Sequence, residues 1–316
     1  MSRKISLGRW LGSLVAAIAM LYLILSVAGG AVLMESALRV PRRPVAQRSV
    51  LEATASPWAS RVEDVTVAAS DGAALKGWFV QPRAWKGEAV LLLHGVGDNR
   101  QGVMQYAPMF LRSGYAVLLP DSRAHGDSGG DHATYGLLEV DDVHRWLYWV
   151  KNRENGASGC TYLLGESMGA GIALQAADTP EICAVVAEAP FASFREIGYE
   201  RIAQGLGTSV EFSHVAAFPM VNAAFVYARL RYGLRFDQAS PERRLAASHV
   251  PALLIVGLAD RNIPPRHAER ILKQADAQCQ IWLVPGAGHT TAASTAPVEF
   301  ERRVLAWFAA HPRLSR

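Results

Sequence analysis

The chain begins with one long apolar segment and continues with short apolar runs separated by amphipathic stretches. Residues 10–34, from Trp10 to Met34, include no charged side chain. As a helix this segment spans roughly 37 Å, which exceeds the hydrocarbon core of a bilayer, about 30 Å thick. The pattern predicts a transmembrane helix over residues 10–34, preceded by a basic flank over residues 1–9 that carries Arg3, Lys4 and Arg9.

A cleaved signal peptide is the alternative interpretation of this segment. Ala28-Gly29-Gly30-Ala31 offers small residues at a plausible cleavage position. The apolar run continues past that position, which favours an uncleaved single-span anchor. The basic residues on the two flanks nearly balance, so the positive-inside rule leaves open which side of the membrane the rest of the chain faces.

The pattern changes twice after the apolar segment. Residues 35–60 contain three prolines and several arginines without a sustained period, which predicts a linker. From residue 61 the alternation typical of a strand appears at Arg61–Ala69 and returns at Leu75–Val80, with a turn signal at Asp71-Gly72 between them. These features predict a β-hairpin at the start of a domain over residues 61–316.

The domain then alternates short apolar runs with helical periods. Strands are predicted at Ala89–Leu93, Ala116–Leu119, Cys160–Leu164, Cys183–Ala187, Ala252–Val256 and Gln280–Val284. Helices are predicted at Gly102–Arg112, Leu137–Arg153, Met168–Ala177, Arg266–Gln274 and Val298–Ala310. Continuous apolar strands between helices are typical of a parallel sheet buried on both faces, so the expected fold class is α/β. Between about 191 and 240 no strand pattern appears, and this helical insertion is predicted to be a cap.

Composition limits the classes of function. Half of the residues are hydrophobic and 19% are charged, which excludes a mainly disordered chain. The net charge of +4 is small and scattered, so no nucleic-acid partner is expected. Cys160, Cys183 and Cys279 lie in strand-like runs and are expected to be small buried apolar residues, neither a disulfide framework nor metal ligands. The five lysines are far outnumbered by arginines, a bias that suggests a bacterial source and hence a bacterial inner membrane.

Gly165-Glu166-Ser167-Met168-Gly169 follows a predicted strand and opens a predicted helix. This G-x-S-x-G context is that of a nucleophile elbow, in which a serine is exposed on a tight strand-to-helix turn. Gly165 and Gly169 remove side chains that would clash around the turn, and the helix N-terminus faces developing negative charge. Ser167 is therefore the predicted nucleophile.

A serine nucleophile requires a base and an acid that orients the base. His289 lies in a glycine-rich loop just after the last predicted strand, and Asp260 follows the strand before it. The predicted catalytic residues are Ser167, Asp260 and His289, with Glu188 a weaker alternative for the acid. No metal or organic cofactor is expected.

The tetrahedral intermediate of acyl transfer needs two backbone N–H donors. Met168 follows the nucleophile and supplies one, and Val96, in the loop after the strand Ala89–Leu93, is the candidate for the other. Gly95 allows this loop to turn inward. His94 is expected to fix the loop, and Glu166 to be exposed on the surface.

These residues together resemble an α/β-hydrolase fold serine hydrolase over about residues 60–310. The features that carry the resemblance are His94-Gly95, the loop Asp121–Ser128, the Ser167 elbow, Gly257…Asp260…Ile263-Pro264, and Gly288-His289. The loop's D-x-R-x-x-G-x-S pattern is similar to that of the serine aminopeptidase-like and BEM46-like branch. The resemblance implies an eight-stranded, mostly parallel sheet with a helical cap after the sixth strand. Ala124 stands where many members have glycine, and His94-Gly95-Val96-Gly97 stands where lipases have HGGG.

The expected function is a membrane-anchored serine hydrolase that cleaves ester or thioester bonds of small or lipidic acyl substrates through a covalent acyl-enzyme. An aminopeptidase-like serine peptidase of the same fold is one alternative, because Glu196, Glu200 and Glu211 of the predicted cap offer carboxylates to a free amine. A non-catalytic membrane scaffold that retains the fold is the other, although such proteins usually lose a triad residue or an elbow glycine.

Overall fold

A computed structural model describes residues 7–153, 156–275 and 279–312. Arg3 and Lys4 of the predicted basic flank lie outside the described residues. The eight strands are β1 (Ala59–Ala68), β2 (Ala74–Pro82), β3 (Ala89–Leu93), β4 (Ala116–Pro120), β5 (Thr161–Glu166), β6 (Ile182–Glu188), β7 (Ala252–Gly257) and β8 (Cys279–Val284).

Twelve α-helices are found among the described residues. They are α1 (Leu7–Leu38), α2 (Ser49–Ala55), α3 (Ala107–Arg112), α4 (Glu139–Asn152), α5 (Met168–Gln175), α6 (Phe194–Leu206), α7 (Val210–Ala216), α8 (Phe218–Tyr232), α9 (Pro241–Ser248), α10 (Arg266–Gln274), α11 (Ala292–Thr295) and α12 (Pro297–Ala310).

The strands form one sheet in the order β1-β2-β4-β3-β5-β6-β7-β8. β2 pairs antiparallel with both β1 and β4, whereas all the other neighbours are parallel. The central strands β3 to β7 are almost continuously buried, because helices cover both faces of a parallel sheet. The predicted α/β fold class, with a mostly parallel eight-stranded sheet, is confirmed.

The core lies on the two faces of this sheet. One cluster includes Leu91, Leu163 and Trp146 of α4, and the other includes Val90, Leu164 and Phe308 of α12. Successive residues of one strand point to opposite faces, so Val90 and Leu91 belong to different clusters. The parallel alignment brings the carboxyl ends of β3, β5, β6, β7 and β8 to one edge of the sheet, and the predicted site residues follow four of these ends.

The chain divides into two compact units. One contains residues 38–194 and 238–316 and holds the whole sheet; it is called the sheet domain below. The other combines the N-terminal residues up to 37 with residues 195–237. Residues 195–237 alone are called the cap segment below. The cap segment contains most of α6 and all of α7 and α8, and no strand lies within it.

The segment predicted as a linker over residues 35–60 includes regular structure. α1 continues to Leu38, and α2 occupies Ser49–Ala55. Leu51 and Ala55 are fully buried against the core of the sheet domain, where they join a cluster with Trp78 and Phe110. A helix of two turns shows too little periodicity in the sequence to be predicted from it. Most of the stability of such a helix comes from tertiary packing.

The expectation that the cysteines only fill space is wrong for two of them. Cys160 and Cys183 form a disulfide whose Cα atoms are 5.7 Å apart. Cys160 directly precedes β5 and Cys183 lies in β6, and these strands are neighbours with Thr161 opposite Ile182. The pairing of parallel strands brings together two residues that are 23 positions apart, which their spacing alone does not indicate.

Candidate active site

Ser167 lies on the turn between β5 and α5. Its backbone has φ 52° and ψ −112°, a conformation that a residue with a side chain rarely adopts. The turn is held in place because the Ser167 N–H donates to the carbonyl oxygen of Glu188 at 2.9 Å. Strain of this kind persists only where the surrounding structure holds the residue in place.

Three glycines permit this turn. A Cβ at Gly165 would lie 2.2 Å from the Gly169 carbonyl oxygen, and one at Gly169 would lie 2.1 Å from the Leu93 carbonyl oxygen. A Cβ at Gly171 would lie 2.2 Å from the ring of Phe191. α5 can therefore pack directly against β3 and β5, which places its N-terminus at Ser167.

His289 lies in the loop after β8, and its imidazole joins two other predicted site residues. Nε2 is 2.9 Å from Ser167 Oγ, and Nδ1 is 2.8 Å from Asp260 Oδ2. With the Nδ1 proton directed at the carboxylate, Nε2 is the acceptor for the serine hydroxyl. The structure therefore brings together three side chains that are separated by 93 and 29 positions in the sequence.

Asp260 is held by the loop that follows β7. Its side chain is fully buried, and Oδ1 accepts hydrogen bonds from the backbone N–H groups of Asn262 and Ile263 at 2.8 and 2.9 Å. Gly257 allows this loop to approach the loop of His289, since a Cβ there would lie 2.4 Å from the Ala287 carbonyl oxygen. One carboxylate oxygen thus accepts hydrogen bonds from the backbone of its own loop, and the other contacts His289.

The loop after β3 lies beside the nucleophile. A Cβ at Gly95 would be 3.5 Å from Ser167 Cβ. His94 holds this loop, because its Nε2 accepts from the Ser122 N–H at 3.0 Å and its Nδ1 donates to the Gly95 carbonyl oxygen at 2.8 Å. Complete burial lowers the pKa of His94 to about 4, so the ring is neutral, and its hydrogen bonds are those of a structural residue.

The loop Asp121–Ser128 is braced from within. The Asp121 carboxylate accepts hydrogen bonds from the backbone N–H groups of Arg100 and Asp127, each at 2.8 Å. Arg123 is buried and makes a bidentate pair with Asp142, with both contacts at 2.7 Å. Ala124 has a φ of 60°, a left-handed conformation that alanine adopts less readily than glycine.

Two buried glutamates behind the nucleophile form a feature that sequence reasoning missed. Glu166 was expected on the surface but is only 7% exposed. Tyr106 Oη lies 3.2 Å from Glu166 Oε2 and 3.1 Å from Glu188 Oε2. Glu188 also accepts from the Ala292 N–H at 2.8 Å, so it contacts the segment just after His289. Burial, and then the charge of Glu188, raise the pKa of Glu166 to about 7.

The arrangement can transfer a proton between a serine hydroxyl and an imidazole that a buried carboxylate orients. Ser167 is 9% exposed and the His289 side chain 23%, whereas the Asp260 side chain is fully buried. Within residues 7–153, 156–275 and 279–312, no cluster of three or more His, Cys, Asp or Glu side chains has the arrangement of a metal site.

Comparison with known proteins places this geometry in a family. Residues 90–303 match the model of the alpha/beta hydrolase family. The uncharacterized protein YqkD of Bacillus subtilis is 29% identical over 221 residues, which cover 68% of each chain. The uncharacterized protein YfhR of Escherichia coli K12 is 26% identical over 246 residues, covering 75% of this chain and 76% of that protein.

Solved structures share the fold at lower identity. The Pyrococcus furiosus esterase Pf2001 has a TM-score of 0.68 and 22% identity, covering 87% of this chain and 98% of that one. Acetyl xylan esterase 1 from Thermoanaerobacterium has a TM-score of 0.56 and 17% identity, covering 86% and 97%. The match to the family model extends from β3 to α12 and includes all three residues joined at His289, and on this evidence the chain belongs to the alpha/beta hydrolase family.

Proposed function

We propose that the protein is a membrane-anchored serine hydrolase that cleaves carboxylic ester or thioester bonds through a covalent acyl-enzyme. The observation that carries the proposal is the continuous hydrogen-bonded chain from Ser167 through His289 to Asp260. Two proteins of the same fold, the Pf2001 esterase and acetyl xylan esterase 1, are named as esterases and support this reaction class.

The proposed reaction begins when His289 Nε2 takes the proton of Ser167 Oγ as the oxygen attacks the acyl carbonyl carbon. Asp260 stabilises the imidazolium that forms, because its carboxylate faces Nδ1 at 2.8 Å. The proton then passes to the leaving alcohol or thiol. Water activated by the same imidazole attacks the acyl-enzyme and releases the carboxylic acid and free Ser167.

The backbone N–H groups of Met168 and Val96 are proposed as the donors to the oxyanion. Met168 is the first residue of α5, so its N–H has no partner within the helix and lies at the positive end of the helix dipole. Val96 follows Gly95, whose Cα approaches Ser167 closely enough that a Cβ would be at contact distance. Removing one donor of this kind costs about 10²–10³ in turnover.

Membrane anchoring is proposed from α1. Its residues Gly8–Leu38 include a window with a mean hydropathy of 2.3, of which only 6% is buried within the protein. A signal sequence would pass the same test. A buried core helix would not leave large apolar side chains such as Leu21, Leu23 and Ile24 more than half exposed.

The peptidase alternative is less well supported, because acidic residues of the cap segment already have partners. Glu196 lies 3.0 Å from His214 Nε2, and Glu200 is buried and accepts from Gln204 at 3.3 Å. A free substrate amine would have to displace these contacts. Aminoacyl amides are therefore expected to be poorer substrates than acyl esters, which a comparison of kcat/KM on the purified protein measures.

The central test uses the full chain purified in detergent. Ser167→Ala is expected to abolish labelling by a fluorophosphonate probe and to lower hydrolysis of p-nitrophenyl acyl esters by at least about 10⁴-fold. Asp260→Asn is expected to lower kcat by about 10⁴-fold, because the amide favours the wrong imidazole tautomer.

Ser56→Ala, at an exposed serine after α2, is the matched control and should retain the wild-type rate. Full hydrolysis by Ser167→Ala would overturn the proposal. Absence of probe labelling in folded wild-type protein would favour the non-catalytic scaffold instead.

A further inference from the structure

The N-terminal helix and the cap segment are packed together as one unit. Tyr22 Oη of α1 donates to the Ala216 carbonyl oxygen at the end of α7. A Cβ at Gly30 would lie 2.5 Å from the Met220 carbonyl oxygen, so the backbones of α1 and α8 are in direct contact. Farther along, the Glu35 carboxylate accepts from Tyr227 Oη at 2.7 Å. α8 therefore runs alongside α1 in the same direction.

These contacts fix the depth of the cap segment relative to the apolar helix. Tyr22 lies about 18 Å along the axis from Trp10, where the uncharged run begins. A hydrocarbon core about 30 Å thick that begins near Trp10 extends to about Gly30. Arg9, next to Trp10, opposes a shift of the span toward the N-terminus. The corner between α7 and α8, joined to α1 at Tyr22, is then roughly 12 Å inside the hydrocarbon.

Three large side chains at this corner suit an apolar environment. Phe212, Val215 and Phe218 are 56%, 79% and 58% exposed within the protein. Large side chains exposed this far, spaced at every third position, are unfavourable in water and favourable in lipid. The Ala216 carbonyl oxygen has the Tyr22 hydroxyl as its partner, which is what a backbone group needs where water is absent.

The polarity changes along α8 in the direction that a bilayer requires. Beyond the corner, Val226 and Leu230 of α8 and Val27 and Ala31 of α1 line an open groove of about 470 Å³, which Arg231 also lines. Arg229 and Arg231 are exposed in the last turn of α8, between Tyr227 and Tyr232, whose hydroxyls both contact Glu35. The level of Glu35 is roughly 37 Å along the helix axis from Trp10. The phosphates of a bilayer lie at about this distance from the opposite edge of its hydrocarbon core. Arginines at this depth match anionic headgroups.

We propose that the cap segment docks into the lipid bilayer, with the α7–α8 corner inserted among acyl chains and the α8 arginines at the phosphates of an anionic leaflet. The docking surface consists of Phe212, Val215, Phe218, Val226, Leu230 and Arg231. The proposal rests on the membrane anchoring of α1 proposed above and is independent of the catalytic chemistry. The protein thereby contacts the membrane through two elements, one that spans it and one that lies in a single leaflet.

The test attaches a fluorescent nitrobenzoxadiazole label to one introduced cysteine in each variant of the full chain, with the Cys160–Cys183 disulfide kept intact. The labelled variants are Val215→Cys and Phe212→Cys at the corner, Leu14→Cys in α1 and Tyr148→Cys on α4, each in a Cys279→Ser background. All four labelled side chains are exposed, so labelling disturbs no core packing. Tyr148 is the control for an exposed aromatic position, since its neighbours on α4 include Arg145, Lys151 and Asn152.

The proteins are reconstituted into vesicles of phosphatidylethanolamine and phosphatidylglycerol that carry a nitroxide in the middle of the acyl chain. Labels at 14, 212 and 215 are expected to lose most of their fluorescence to the nitroxide, and the label at 148 to keep it. Quenching at 14 without quenching at 212 and 215 would overturn the docking while leaving the anchor intact. Blue-shifted but unquenched emission at 215 would show that a second protein copy covers the corner, which also overturns the proposal. No quenching at 14 would remove the anchor on which it rests.

Discussion

Glu166 combines two properties that oppose each other, a carboxyl group and near-complete burial. The residue neighbours the proposed nucleophile, and Tyr106 lies between it and Glu188 within hydrogen-bonding distance of both. Burial raises the pKa of both glutamates, and for Glu166 the value reaches about 7. Two adjacent buried carboxyl groups cannot both ionise without cost, so the pair retains a proton well above the usual range of glutamate.

This proton makes the stability of the protein depend on pH. Because the pKa of Glu166 is raised from 4.5 to about 7 on folding, the folded state binds the proton more tightly. The resulting stabilisation is complete below pH 4.5 and is lost as the pH rises through 7. Relative to Glu166→Gln, the free energy of unfolding of the wild type is expected to fall by about 3 kcal/mol over this interval.

Chemical denaturation followed by tryptophan fluorescence at several pH values measures the difference. Glu269→Gln, at an exposed position of α10, is the control and should follow the wild type. Parallel curves for the wild type and Glu166→Gln would show that Glu166 does not retain its proton.

Among the elements, the packing of α5 against the sheet controls the elbow. Gly165, Gly169 and Gly171 leave no space for a Cβ, and the atoms nearest to Gly165 and Gly169 are backbone atoms that cannot rotate away. The strand, turn and helix therefore form one rigid element whose position determines where Ser167 lies.

Gly169→Ala is expected to destabilise the protein by about 3 kcal/mol or more, because the added Cβ would lie 2.1 Å from the Leu93 carbonyl oxygen. Relief of this clash would move α5 away from β3 and with it the Met168 N–H, so the rate of ester hydrolysis should also fall. Gly205→Ala in α6 is the matched control. A Cβ there meets nothing within 4 Å, and higher helix propensity should increase stability by about 1 kcal/mol. Equal free energies of unfolding for the two variants, measured by urea denaturation, would contradict the packing argument.

At the scale of the whole molecule, the Cys160–Cys183 disulfide bears on the proposed membrane anchoring, because it indicates which side of the membrane the sheet domain would face. Disulfides persist in oxidising compartments and are rare in the bacterial cytosol. The basic residues on the two flanks of α1 do not decide the orientation, whereas the disulfide favours the non-cytoplasmic side.

A fusion of alkaline phosphatase to the C-terminus of the full chain is therefore expected to be active in bacterial cells, because this enzyme matures only outside the cytoplasm. A fusion of green fluorescent protein exported by the same route should be dark. Bright fluorescence together with an inactive phosphatase would place the domain in the cytoplasm and contradict the prediction.

The sequence by itself determined the features that are local in the chain. Strand boundaries such as Ala89–Leu93, helices such as Arg266–Gln274 and the strand–turn–helix around Ser167 follow from patterns over about ten residues. Ser167, Asp260 and His289 each follow a predicted parallel strand. Because the carboxyl ends of parallel strands meet at one edge of a sheet, the sequence also predicted that these three residues lie close together. The catalytic roles of these residues stay predictions.

Only the tertiary structure decided the relations between distant segments. The disulfide depends on β5 and β6 being neighbours, and the Glu166–Tyr106–Glu188 group depends on a helical turn before α3 meeting the ends of those same strands. The packing of α1 against α8 joins residues almost 200 positions apart. The physical reason is common to all three: burial and pairing depend on which elements become neighbours, and a periodicity confined to one element does not encode its neighbour.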